Sequence, residues 1–481
     1  MKKTGKIIYV VLTVAVMAVP FAGMAFFKTD TTTENKRMAE MPEIKENGQI
    51  NRDYLTDLGT YFNDHFAFRN YLVDVDSRIQ SGLFKESNVD TVLVGTDGWL
   101  YYTATLDNYL GQNRMSGRTI NNCVHNMKLL QDYVKSQGAK FVLAVPPNKN
   151  SLYGEHMPYY DNYKVSDGSD MERMAEAFAD AEVNYADLYA ELLDQSDVMY
   201  QKRDSHWNNM GALLAYNSIL DQVGVSHDSY ETAEFTRKKD YIGDLNSMIY
   251  PISSQPEWDM YLDDSTWKYT YITDTRSVEE SEIETANDSA EGSLLMYRDS
   301  FGNTLLPYMA NAFGKAEFSK NIPYNISSDM ADDKPDIVAI EKVQRNIKEF
   351  ASDPAVFQGP ELSDEDAARF DALQAEDGNT TVSVKEAESN VSFWQIDGIA
   401  DSDKLSDDAV IYVGVDDGGD TKYYEAFGIT DDSTDSGYRL YLDKTSVSSD
   451  NITVKVYVSG SAGDSFVAKQ AVDLTTVETL N

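Results

Sequence analysis

The sequence predicts an α/β protein: a mostly parallel sheet with helices on both faces, extended by a C-terminal β-sandwich and an N-terminal transmembrane helix. Three observations carry that reading. Continuous apolar runs of strand length alternate with helical segments through the middle of the chain, the pattern of parallel strands joined by crossover helices. Beyond Thr380 the texture changes to short β-type runs divided by Gly, Asp, Asn and Ser. At the other end Lys2, Lys3 and Lys6 precede a charge-free run from Ile7 to Phe27, long enough to cross a ~30 Å hydrocarbon core.

The lysines come first, so the positive-inside bias keeps the N-terminus cytoplasmic and sends the rest of the chain outside. Residues 1–27 are read as a membrane anchor; cleavage near Gly23-Met24-Ala25, giving a secreted protein, is the competing reading. Residues 28–50 are polar and form a stalk, and residues 51–352 are the α/β domain. Within it Tyr54, Leu58, Tyr61 and Phe62 recur at helical spacing, and Thr91–Val94 with Gly98–Tyr102 reads as a hairpin. The βα alternation follows: helix Asn121–Gln137, strand Lys140–Val145, helix Met171–Ala181, strand Val183–Leu188, helix Asn208–Val223, and strands Ser293–Tyr297 and Asp336–Ile340. The strand at 140–145 runs into Pro146-Pro147-Asn148-Lys149, at the sheet edge where open α/β folds place ligands. Residues 353–379, acidic and Ala-rich, are expected to be a linker, and residues 380–481 the β-sandwich. In that last part Trp394, Tyr412, Tyr423, Tyr424 and Tyr438 are either core or a surface for sugar rings.

A formal net charge of -39 leaves nothing to neutralise phosphates, which argues against a nucleic-acid partner. The one cysteine, Cys123, excludes an internal disulfide and reads as structural. No His/Cys/Asp cluster has metal-ligand spacing, and no cofactor motif is present.

Two short stretches could carry chemistry. In Arg203-Asp204-Ser205-His206-Trp207-Asn208, an extended segment lets Asp204 and His206 point the same way, so that the carboxylate fixes the imidazole tautomer. In Tyr297-Arg298-Asp299-Ser300-Phe301-Gly302-Asn303, Ser300 sits where a buried strand turns into a helix, a position suited to a nucleophile. Each stretch alone is equally readable as a helix N-cap; together, at the edges of one sheet, they favour a catalytic pair.

The Asp-Ser-His-Trp stretch with the downstream Asp-Ser-Phe resembles the circularly permuted SGNH-hydrolase-like family of alginate O-acetyltransferase-like and DHHW proteins. Further matching stretches are Phe62-Asn63-Asp64-His65-Phe66-Ala67-Phe68-Arg69, Gly98-Trp99-Leu100-Tyr101, Val145-Pro146-Pro147-Asn148-Lys149 and Glu341-Lys342-Val343-Gln344-Arg345-Asn346, so that the resemblance covers about residues 50–350. It implies an SGNH-like three-layer domain with Ser300 as nucleophile, His206 as base and Asp204 as its orienter. It also makes Tyr101, Asn148, Lys149 and Arg345 site-lining candidates. Arg298 stands where many of these proteins have glycine, and is expected either to narrow the oxyanion region or to bind an anionic group. Ser205 stands where the DHHW motif has its first His.

The expected function is extracytoplasmic O-acetyl transfer to a cell-wall or exopolysaccharide through an acetyl-serine, without a cofactor. The resemblance implies a multi-pass membrane O-acyltransferase as acetyl donor. A carbohydrate acetyl-esterase using the same triad, and a non-catalytic polysaccharide-binding envelope protein, are the alternatives.

Overall fold

The apolar runs of the middle region assemble into one seven-stranded sheet. Its order is Tyr185–Ala186, Lys140–Ala144, Ile337–Glu341, Ser293–Tyr297, Lys315–Ser319, Glu282–Ala286 and Thr270–Tyr271. The first five strands run parallel, and Glu282–Ala286 pairs antiparallel with both of its neighbours. The structure is a computed structural model and describes residues 3–24, 26–27, 38–46, 49–166, 168–376, 378–477 and 479. Ala25 of the candidate cleavage site and residues 28–37 and 47–48 of the expected stalk lie outside the described residues.

The strand side chains divide by their period of two. Phe141, Leu143, Leu295, Tyr297, Val338 and Ile340 face one core, shared with helices Gly117–Ser136 and Asp170–Asp180. Val142, Ala144, Leu294, Met296, Ile337 and Ala339 face the other, shared with helices Asn209–Val223 and Gly302–Ala312. Both faces are therefore covered, which is why these strands read as unbroken apolar runs.

The C-terminal region forms two four-stranded antiparallel sheets. The run Tyr423–Ile429, which reads as one strand, is divided between them. Asp420–Glu425 pairs in one sheet and Phe427–Ile429 in the other, with buried Ala426 at the crossing. The aromatics considered for sugar stacking are mostly internal. Tyr423, Tyr424 and Tyr438 are buried, Tyr412 packs on Phe370, and Trp394 lies under Lys444 Nζ at 4.4 Å.

Among the described residues of 353–379, several pack into the cores in place of the expected free linker. Val356 and Phe357 join the main core, and helix Asp364–Asp371 sets Phe370 against Tyr412, Tyr423 and Tyr457. Their acidic, Ala-rich composition masks two anchoring aromatics. The sandwich itself is seated on helix Gly117–Ser136. Asn126 Nδ2 donates to the carbonyls of Phe350 and Gly428, each at 2.8 Å, and its Oδ1 accepts from Gly428 N–H at 2.9 Å. Gly428 is required there, since a Cβ would stand 2.3 Å from Asn122 Oδ1.

At the N-terminus, helix Lys3–Gly23 contains the apolar stretch Thr4–Gly23, of mean hydropathy 2.0, its described side chains mostly exposed as far as Gly23, which is buried. Its length and composition are those of a membrane span.

Candidate active site

The strand Ser293–Tyr297 ends at the centre of the sheet and turns through Arg298-Asp299-Ser300 into helix Gly302–Ala312. That turn is locked from within. Asp299 accepts Phe301 N–H and Val343 N–H, each at 2.9 Å, and its own N–H donates to Glu341 Oε2 at 3.1 Å. Burial, and then the neighbouring Asp299 carboxylate, hold the Glu341 carboxyl well above the usual range. The helix start crowds against the turn. A Cβ at Gly302 would lie 2.7 Å from Arg298 Cβ and 3.0 Å from Glu341 Oε2, so glycine is what lets the chain return.

Asp204 and His206 arrive from the preceding segment, just ahead of helix Asn209–Val223. Trp207 is buried and donates Nε1–H to the Phe301 carbonyl at 3.2 Å, tying the two motifs together. Two distant stretches of chain thus meet. His206 Nε2 lies 2.8 Å from Ser300 Oγ, and His206 Nδ1 lies 2.7 Å from Asp204 Oδ1.

Asp204 is buried and fully engaged. Oδ1 also accepts the His206 N–H at 2.8 Å; Oδ2 accepts Tyr241 Oη–H at 2.9 Å and Asp244 N–H at 2.7 Å. Burial opposes its charge, but the imidazole and these hydrogen bonds outweigh burial and hold the carboxyl below its ordinary range. For His206 burial likewise disfavours the cation. Asp204, its hydrogen bond and then Asp244 overcome this, with Arg345 opposing them, and the imidazole is held above its usual value.

Tyr241 and Asp244 are functional neighbours that the sequence did not reveal. They belong to strand Thr236–Tyr241 and helix Asp244–Ile249. Gly243 lets this segment close over the triad, because a Cβ there would sit 2.3 Å from the Arg203 carbonyl oxygen and 3.0 Å from Asp204 Cβ. Asp244 also accepts Ser205 Oγ–H at 2.6 Å and Ser205 N–H at 2.9 Å. The Gly-Asp pair marks a helix start in the sequence but says nothing about where that helix docks. Asp204, His206 and Asp244 hold potential ligand atoms within 4.8 Å of one another. The Asp204 oxygens and His206 Nδ1 are, however, already hydrogen-bonded, which suits a triad better than a metal site.

The catalytic candidates open onto a cleft of about 960 Å³, lined also by Tyr241, Trp267, Asn303, Tyr308 and Arg345. The other site-lining candidates lie behind it. Tyr101 is buried and donates to the Tyr153 carbonyl. Asn148 is buried, its N–H on Gln344 Oε1 at 2.8 Å. Lys149 is buried beneath the Asp204 loop, where Nζ donates to the carbonyls of Gln201, Lys202 and Asp204 at 3.1, 3.0 and 2.5 Å. Burial draws it down to about 8 against the pull of Asp204, Asp244 and Glu257. Arg298 is buried too and serves as a clamp, donating to the Val278 carbonyl at 2.8 Å and Asn303 Oδ1 at 2.5 Å. These bonds brace the cleft wall from inside, while its Nε is buried without an acceptor among the described residues.

A serine at the end of a central parallel strand, with an Asp-x-His segment supplied from earlier in the chain, is the arrangement that the resemblance to permuted SGNH-hydrolase-like proteins implies. Residues 92–289 match the family described as SGNH hydrolase-like domain, acetyltransferase AlgX. That match includes Asp204 and His206 and stops before Ser300. A relative from Pseudomonas syringae named "Probable alginate O-acetylase AlgJ" is 30% identical over 166 residues, which is 33% of this chain and 40% of the relative. Its namesake from Pseudomonas aeruginosa is 26% identical over 169 residues, 35% of this chain and 41% of that one. The chain thus spans about two fifths of the length of these relatives. Among solved structures, Bacillus cereus PatB1 is similar at 20% identity and a TM-score of 0.43, over 54% of this chain and 98% of that one.

Proposed function

We propose that this protein is an extracytoplasmic O-acetyltransferase that acetylates hydroxyl groups of a cell-wall or exopolysaccharide through an acetyl-Ser300 intermediate. The observation that carries the reading is the Ser300–His206–Asp204 relay, at 2.8 and 2.7 Å, open to a cleft large enough for sugar residues. His206 Nε2 takes the Ser300 proton as Oγ attacks the acetyl carbonyl of the donor. The tetrahedral oxyanion collapses, the donor's leaving oxygen departs with the proton from His206, and acetyl remains on Oγ. A sugar hydroxyl then attacks the acetyl carbonyl as His206 takes its proton, and the second tetrahedral intermediate collapses with His206 returning that proton to the departing Ser300 Oγ. The Ser300 N–H makes no hydrogen bond among the described residues and can receive the oxyanion. A multi-pass membrane O-acyltransferase would be the acetyl source, consistent with a tether at Lys3–Gly23.

The cleft's charge narrows the acceptor. Asp204, Asp244, Asp259, Asp264 and Glu279 line it together with Arg345, on a chain of net charge -39. Such a surface repels a polyuronate and admits neutral or amino-bearing sugars. The test is to incubate the purified chain with an activated acetyl ester and neutral, amino-bearing or uronate oligosaccharides. Acetyl is expected on the first two, at least ~10-fold faster than on the uronate at low salt, with the gap narrowing as salt is added. Free acetate alone, unaffected by acceptor, would indicate an esterase; no Ser300-dependent turnover would indicate a binding protein.

The base must be neutral to act, so protonation of His206 switches turnover off. Its raised pKa places the acid limb of the kcat/KM profile above the ordinary imidazole value of about 6.5. Asp244→Asn removes a carboxylate that favours the imidazolium, so the limb is expected to move to lower pH. A pH–rate profile that stays in place would contradict this assignment.

A further inference from the structure

Helix Arg69–Ile79 has its amphipathic faces reversed. Its inward side is polar: Asp74 is 6% exposed and accepts from Ser253 Oγ at 2.7 Å, and Ser77, fully buried, donates to Asn88 Oδ1 at 2.7 Å. Its outward side is apolar, with Leu72, Val75 and Ile79 exposed at 44, 56 and 47% and Leu83 continuing the row at 75%. Phe68, Leu72, Val75, Ile79 and Leu83 follow one another at steps of three or four residues, a single stripe. A stripe of this kind turned outward has no reason to exist in water.

The stripe begins where the apolar N-terminal helix ends. Phe68 packs on Phe27 with ring centres 5.2 Å apart, Phe62 on Phe21 at 5.6 Å, and the Ala67 N–H donates to the Pro20 carbonyl at 3.3 Å. We propose that the outward face of residues 68–84 lies in the headgroup–acyl boundary of the membrane. The α/β domain would then rest on the bilayer surface beside its own tether. This rests on the reading that Lys3–Gly23 spans the membrane. The apolar row enters the acyl boundary while the buried polar row holds the helix on the protein, the arrangement of an interfacial helix. Such seating keeps the domain close to a membrane-borne acetyl donor.

The test uses the full chain in phosphatidylcholine–phosphatidylglycerol vesicles, spin-labelled one site at a time at Leu72→Cys, Val75→Cys, Ile79→Cys, Asp132→Cys or Val14→Cys. Native Cys123 is completely buried and its thiol is pushed up to about 12, so it stays unlabelled. Labels at Leu72, Val75 and Ile79 are expected to collide several-fold more often with oxygen than with an aqueous nickel chelate, and a label at exposed Asp132, on helix Gly117–Ser136, the reverse. Three stripe labels open to nickel would overturn the proposal, as would labels shielded from both reagents, which would mean a protein cover. The Val14 label separates the two readings. If it is immersed while the stripe is aqueous, this proposal alone fails; if it is aqueous too, the tether also fails.

Discussion

Ser300→Ala is expected to lower acetyl transfer by ~10⁴-fold or more while leaving the fold intact, because removing one member of a serine triad costs about that much. The hydroxyl is the only atom lost. Its partner His206 is 19% exposed at the side chain and can take a water in exchange, so no buried polar group is orphaned. Urea unfolding should therefore shift by less than ~1 kcal/mol. A variant retaining a tenth of the activity would remove Ser300 from the chemistry. Equal loss of activity and of stability would make it structural.

Asp204→Asn is the second large effect, and its cause differs. The carboxylate accepts four donors: the Nδ1 and backbone N–H of His206, Tyr241 Oη–H and Asp244 N–H. An amide is half donor, so whichever way it sits its –NH₂ meets groups that need an acceptor. With the –NH₂ toward His206, the imidazole shifts its proton to Nε2 and can no longer take one from Ser300. A loss of ~10⁴-fold in turnover is the expected scale for a wrong tautomer in such a triad. With the –NH₂ toward Asp244, a buried N–H is left unmet, at a cost of ~1–3 kcal/mol in unfolding free energy. Steady-state rates and urea titration of the same preparation check both. Turnover within tenfold of the parent would show that the carboxylate does not set the tautomer.

The central sheet and the meeting of His206 with Ser300 were legible because both rest on local pattern. Strands buried on two faces must be continuously apolar, as Leu294–Tyr297 and Ile337–Ile340 are, and a serine following such a strand stands at the sheet edge. What failed to show were contacts set by docking. Tyr241 and Asp244 reach Asp204 across a hairpin whose strands, Thr236–Tyr241 and Glu257–Tyr261, are charged and mostly exposed. Their sequence therefore lacks the alternation that marks a buried strand. Arg298 and Lys149 mislead in the opposite sense. Cations in a site motif suggest ligand binding, yet both are buried and donate to acceptors of the protein itself. Phe357 and Phe370 were hidden in an acidic stretch, so a packed segment resembled a linker.

Mass spectrometry of the peptide carrying Ser300, after brief exposure of the protein to p-nitrophenyl acetate and acid quenching, addresses the reaction most directly. One acetyl group should appear on Ser300, disappear when an acceptor sugar is added before the quench, and fail to form in His206→Ala. Turnover of the ester with that peptide unmodified, or the same acetylation in the His206 variant, would contradict a relay between these two side chains.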